Sequence, residues 1–179
     1  MIEVKRLKRD LVVKGNIIDI YKDTIELPDG QIRKWDHIEH KGAAAIIPVM
    51  ENGNIIMVRQ HRNSIDRVIW EIPAGGLDTK EEPSLTCAHR ELLEETGCTT
   101  EDMEFLIRIN TTVAFCSEFI DIFVAKNLKN GSQHLDDGEF LEVSNFSISE
   151  LEEMIYSGEI TDSKTVAGLM CYKSKYLTK

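Results

Sequence analysis

The stretch AHRELLEETG, residues 88–97, crowds Glu91, Glu94 and Glu95 into less than two helical turns and offers Arg90 as its one formal cation. Like charges three and four residues apart on a helix repel, at a cost of roughly a few tenths of a kcal/mol per pair. A fold that keeps such a helix must anchor it by an apolar stripe and bring positive charge to its acidic side. Leu85, Ala88 and Leu92, spaced three and four apart, supply the stripe. Pro83 suits the first helical position and Gly97 a left-handed stop, so the spacing predicts a helix over about 83–96.

Strands are expected on either side of that helix. NIIDIYKDTIEL and QIRKWDHIEH alternate apolar and polar residues around the turn LPDG (27–30). GAAAIIPV reads as a buried strand, the Asn52-Gly53 pair as a hairpin turn, and NIIMVRQ as the returning strand. RVIWEI ends at Pro73 and runs into AGGLD, read as a tight loop. Two more strands are expected near FLIRI (105–109) and FIDIFVA (119–125), and LEVSNFSI follows a polar loop. Ser149-Glu150 opens a short helix, and a last one, capped at Thr161 or Asp162, covers TDSKTVAGLMCYKSKYL. Strands, one inserted helix, strands and terminal helices make an α+β chain with a mixed sheet. The expected division is 1–40, an N-terminal antiparallel strand extension, and 41–179, the main domain.

The 179 residues carry 21 Lys and Arg against 31 Asp and Glu, a net charge of −10. That field argues against non-specific binding to nucleic acid or to an anionic membrane. Cys87, Cys98, Cys116 and Cys171 form no CxxC and read as buried thiols, and the five histidines, His37 and His40 among them, read as surface imidazoles. The start, MIEVKRLKRD, lacks the apolar core of a secretory signal, and the expected compartment is the cytoplasm.

The acidity is local. Residues 79–104 hold eight acids and two bases, a net of −6, more than half of the chain's total. Clustered carboxylate oxygens call for a counter-ion and select Mg²⁺ or Mn²⁺ over softer metals. Gly75-Gly76, just upstream, lets backbone approach a phosphate or a metal closely. The bland alternative is a solvated helix face tied by an Arg90–Glu94 pair.

Gly76, five residues, Glu82, seven residues, Arg90-Glu91-Leu92, one residue, Glu94-Glu95, one residue, Gly97-Cys98 resembles the Nudix box, G-x5-E-x7-R-E-U-x-E-E-x-G-U. Only Cys98, at a position commonly aliphatic, departs from it. The resemblance implies an α/β/α sandwich and metal-assisted hydrolysis of a nucleoside diphosphate linked to another moiety. It implies Glu91 and Glu95 as principal metal ligands, Glu94 as a supporting one and the Ala74 carbonyl as a backbone ligand. Arg90 would hold the helix carboxylates, Gly76 would lie against the substrate, and Glu82 would fix the loop or meet an outer metal. The ions would lie between an acidic protein and an acidic substrate.

HKGAAAIIPV, IIMVRQHR and WEIPAGGLD extend the resemblance to the ADP-ribose pyrophosphatase branch of the family. In that branch the N-terminal strands help form a homodimer; an ordinary sheet extension is the alternative for residues 1–40. Arg62 and Arg67 are candidates for the diphosphate or terminal sugar, because a guanidinium fork matches phosphate oxygens, or else plain surface arginines. Trp35 either stacks on the base, as aromatics of this region do in the branch, or packs in the core. LDDGEFLEV nominates Glu139, then Asp137, as general base. TTVAFCSEF (111–119) lacks the Pro and Gly of the branch's P-G-F-S stretch, which weakens the tie to ADP-ribose and leaves the chemistry intact. The expected reaction is Mg²⁺-dependent cleavage of ADP-ribose to AMP and ribose 5-phosphate. GDP-mannose or a UDP-sugar is the alternative substrate, and a non-catalytic nucleotide-binding module a further reading.

Overall fold

The computed structural model describes residues 3–135 and 140–178, which form two compact units. One unit joins the N-terminal residues to Gly42 with 110–119; the other holds 43–109 and the rest of the chain from Ile120.

In the first unit, β1 (Lys5–Lys14), β2 (Asp19–Glu26) and β3 (Ile32–Glu39) form an antiparallel meander. The turn at LPDG closes with Gly30 N–H on the Leu27 carbonyl, and Gly30 takes φ 81°, which a side chain would oppose. Asp23, buried, takes both arms of Arg9 at 2.7 Å, and the guanidinium also lies over the Tyr21 ring. His37 is half-buried, with its Nε2 enclosed and unpaired, so it is not the surface imidazole expected from the sequence. Burial lowers its pKa. Ser117 N–H donates to the Ile38 carbonyl and Ser117 Oγ accepts from His40 N–H, which docks the 111–119 stretch on the end of β3.

In the second unit, β4 (Ala43–Pro48), β5 (Ile55–Arg62), β6 (Arg67–Glu71) and β7 (Ala74–Gly76) precede the acidic helix α1 (Ser84–Thr96). Then come β8 (Cys98–Thr99), β9 (Asp102–Asn110), β10 (Phe119–Lys126), β11 (Lys129–Asn130) and β12 (Leu141–Phe146). Helices α2 (Ile148–Tyr156) and α3 (Ser163–Tyr172) follow, the latter running into a π-helical turn at Lys173–Leu177. One sheet has the order β7-β4-β10-β9; β10 runs parallel to β4 and β7 antiparallel to it, so the sheet is mixed as expected. A second has the order β12-β5-β6, antiparallel throughout.

Every residue of β4 is buried, because both of its faces are covered. Ala43, Ala45 and Ile47 join Ile122, Val124, Leu151, Leu169 and Tyr172 in the core formed with α2 and α3. The strand is also packed by α1. Gly168 lets α3 come close to the sheet, since a Cβ there would meet Ile72 Cδ1 at 3.3 Å.

Three local readings change. AGGLD is not only a loop: Ala74–Gly76 pairs in register with Ala43–Ala45, because the glycines offer backbone and no bulk to a neighbouring strand. The short helix starts at Ile148, one residue earlier than Ser149-Glu150, because Ser147 and Glu150 cap each other's backbone N–H groups in a reciprocal box. Pro83 sits at the N-cap with extended backbone, one place before the helix, and Asp162 caps α3. Of the cysteines, all free, Cys87 and Cys98 are buried while Cys116 and Cys171 are half-buried.

Candidate active site

Helix α1 turns a different face inward from the one its apolar residues suggest. Leu85 is 43% exposed, whereas Cys87, Ala88, Glu91, Leu92 and Glu95 are buried. The inward stripe thus contains two carboxylates, and the helix packs against β4 and β7 through a partly charged face. Gly97 ends it at φ 70°, its N–H on the Leu93 carbonyl.

Strand β7 receives those carboxylates. Glu95 Oε2 accepts the Ala74 N–H at 3.0 Å. A Cβ on Gly75 would lie 2.0 Å from Glu91 Oε1, so the carboxylate lies against the bare α-carbon. Gly76 has open space on its Cβ side, and its carbonyl accepts from Arg90 Nη2 at 3.0 Å. The Cys87 thiol points at the Gly75 and Gly76 carbonyls at 3.6 and 3.4 Å. Burial, with the Glu91 charge adding to it, pushes that thiol up to about 12, so it stays a neutral donor.

Arg90 is the hub. Its Nη1 donates to Glu91 Oε1 at 2.5 Å and to Glu94 Oε2 at 3.1 Å, and its Nη2 lies 3.8 Å from Glu82 and 3.9 Å from Asp78. Desolvation works against its charge, yet the Glu91 carboxylate outweighs that and raises its pKa above the ordinary value. Glu82 in turn accepts the Asp78 N–H at 2.6 Å, which closes the loop between β7 and α1. One guanidinium is therefore shared by four carboxylates. Among the described residues no three His, Cys, Asp or Glu side chains converge as a metal cluster; Glu91 and Glu94 turn to Arg90, and Glu95 to Ala74 N–H. The donor set still fits a hard divalent cation: the buried carboxylates of Glu91 and Glu95 lie against the Ala74–Gly76 strand, and Glu94 flanks them on the helix.

The other sequence candidates fall in several places. Arg62, half-buried at the end of β5, grips Glu71 with Nε and Nη2, each at 2.6 Å. Arg67 stands opposite it in the β5–β6 register and is exposed. Trp35, on β3 of the first unit, is 49% exposed, which removes core packing as its role. Glu139 and Asp137 lie outside the described residues. Sequence reasoning passed over Glu71, within WEIPAGGLD, and Lys164, whose only signal was a lysine two places after the Asp162 cap. Cys87, read as a buried thiol, is indeed buried, but its place against the Gly75 and Gly76 carbonyls had no signal in the sequence.

Residues 39–168 match the NUDIX domain. The chain is 35% identical to the ADP-ribose pyrophosphatase of Bacillus subtilis (strain 168), over 97% of this chain and 95% of that protein. It is 39% identical to the methanol dehydrogenase activator of Bacillus methanolicus, over 93% and 90% respectively. A solved structure titled an ADP compounds hydrolase superposes with a TM-score of 0.86 at 20% identity, covering 96% of this chain and 93% of that one, which shows the fold.

Proposed function

The chain belongs to the NUDIX family, and from that premise we propose that it hydrolyses the pyrophosphate bond of ADP-ribose to AMP and ribose 5-phosphate. The observation that carries this reading is the seating of Glu91 and Glu95 on the Ala74–Gly76 strand, in a chain that matches an ADP-ribose pyrophosphatase end to end. Glu91, Glu95 and the Ala74 carbonyl would hold Mg²⁺, or Mn²⁺ in its place, with Glu94 in support. When bound, such a cation neutralises pyrophosphate oxygens and makes a bound water more nucleophilic.

The protein's own residues prepare that chemistry. Arg90 hydrogen-bonds Glu91 and Glu94 and ties them to the Gly76 carbonyl. Glu82 fixes the loop through Asp78 N–H, so its support of the loop is favoured over an outer metal. Arg62, aimed by Glu71, binds a phosphate oxygen, and Arg67 is an exposed candidate for the terminal sugar. Glu139, then Asp137, remains the proposed general base. Trp35 is proposed to stack on the adenine.

The exposed apolar side chains Leu7, Leu11, Val12 and Val13 on β1 support a homodimer built through the N-terminal strands. Sedimentation at twice 20.4 kDa is the expected result. No described helix is long and apolar enough to cross a membrane. The proposed setting is the cytoplasm, and the proposed partner a small nucleotide sugar rather than nucleic acid.

The altered 111–119 stretch favours a second reading, GDP-mannose or a UDP-sugar in place of ADP-ribose with the reaction unchanged. Turnover of ADP-ribose, GDP-mannose, UDP-glucose and dinucleoside polyphosphates side by side separates them. A kcat/KM highest for ADP-ribose is expected, and no preference for it ends the first reading.

A further inference from the structure

A second charged network stands a few residues from the box and belongs to neither the Arg90 hub nor the core. Glu71 ends β6, three residues before Ala74, with its side chain 1% exposed. Its Oε1 takes Arg62 Nε, while its Oε2 takes both Arg62 Nη2 and the ammonium of Lys164. Lys164, its side chain 8% exposed, also donates to Asp162 Oδ2 at 2.9 Å. Asp162 caps α3 by accepting Thr165 N–H and Oγ–H, and Thr165 Oγ1 accepts Ile72 N–H at 3.0 Å. The start of α3 is thereby locked to the backbone that leads into the Ala74–Gly76 strand.

The two cations differ in reach. Arg62 is 39% exposed and its charge is felt from Glu95 as well as from Glu71 and Asp162, whereas Lys164 is enclosed. Burying an ammonium is costly, and Lys164 meets that cost by bridging Glu71 and Asp162, so that two carboxylates balance two cations. Beyond that balance, the second cation on Glu71 adds geometry. A carboxylate gripped only by Arg62 can swing with it; one whose Oε2 is also held by Lys164 fixes the plane of the guanidinium. The fork uses two of the five guanidinium N–H groups, and the other three lie outside it.

We propose that Lys164 is a positioning residue: through Glu71 it fixes the guanidinium of Arg62, which presents its outer N–H groups to a phosphate oxygen of the nucleoside diphosphate substrate. The proposal rests on the ADP-ribose reading for the identity of the anion, and on geometry alone for the coupling of Lys164 to Arg62.

Two readouts test it. In metal-free, substrate-free protein, the Arg62 Nε–H resonance is assigned by its disappearance in Arg62→Lys. Its exchange with solvent is expected to speed up about tenfold or more in Lys164→Met, because a hydrogen bond held in one geometry opens less often. In steady-state kinetics with ADP-ribose and Mg²⁺, Lys164→Met is expected to raise KM about tenfold and change kcat little, as loss of uniform binding does. Arg62→Lys should do the same, and the double variant should be no worse than the worse single one. Unchanged Arg62 exchange, or a lowered melting point with KM intact, shows a merely structural ion pair and overturns the proposal; so does additivity of the two substitutions. Should Lys164→Met fail to fold, Glu71→Gln, which keeps shape and an acceptor, must release the Arg62 resonance, and a protected signal there overturns the proposal equally. Released Arg62 in a protein whose wild type ignores ADP-ribose removes the substrate reading and leaves the positioning role supported.

Discussion

The Glu91 carboxylate fills the place where a side chain on Gly75 would begin, with Oε1 2.0 Å from that missing Cβ. The glycine backbone at this point is ordinary, since Gly75 is not among the residues of positive φ. Its need for glycine is one of space.

Gly75→Ala therefore tests the seating of Glu91 without touching a charge. The added methyl must push the carboxylate off the strand while the backbone keeps its conformation. Turnover is expected to fall about 100-fold, the scale on which an ångström of misplacement acts, with the circular dichroism spectrum unchanged. Full activity would show that Glu91 works from another position.

Glu95→Gln is the complementary change. The amide oxygen can still accept the Ala74 N–H, so the fold is expected to persist and the melting point to move little. Removing the charge is expected to cost several orders of magnitude in kcat, because the ligand for a divalent cation loses its anionic oxygen. Wild-type turnover in this variant would place the metal elsewhere and return a nucleotide-binding module to consideration.

Arg90→Met leaves Glu82, Glu91, Glu94 and Asp78 without their shared cation. Breaking a buried pair by removing one partner costs about 3–5 kcal/mol, and partial exposure of Arg90 reduces this to about 2 kcal/mol. Divalent metal should compensate. The melting point of the variant is expected to rise more with millimolar Mg²⁺ than that of the wild type, since binding to the native state stabilises it. An equal or smaller rise would mean that the helix carboxylates do not hold the ion.

Acid stability should report on Glu71. Burial raises its pKa, but the Arg62 fork and the Lys164 charge outweigh burial and hold it below its ordinary 4.5. A folded pKa below the unfolded one stabilises the native state at pH above 4.5 and loses that contribution as the pH falls through the folded value. Asp162, also lowered below its ordinary 3.8, acts in the same direction. Urea titrations should therefore show wild-type stability falling below pH 4.5, and a shallower fall in Glu71→Gln. Identical slopes would show that Glu71 titrates alike in folded and unfolded chains.

Much of the protein was settled by order along the chain. The spacing from Gly76 to Gly97 fixed the family, alternation on either side of LPDG fixed two N-terminal strands, and the apolar run and Asn52-Gly53 turn within 43–62 fixed a hairpin, because period and turn residues are local properties. The left-handed stop at Gly97 and the turn at Gly53 are likewise single-residue consequences of having no Cβ. What the sequence could not assign is which way a side chain faces once elements pack. Leu85 belongs to the helix's apolar spacing yet faces solvent, because the inward stripe is chosen by β4 and β7 and by the partners that Glu91 and Glu95 find there. Ala74–Gly76 becomes a strand only because Ala43–Ala45 lies alongside it. Arg62, Glu71, Asp162 and Lys164 lie up to 102 residues apart, and no periodicity links them. Their association is a property of the tertiary fold, where burying a charge is tolerable only when the partners arrive together.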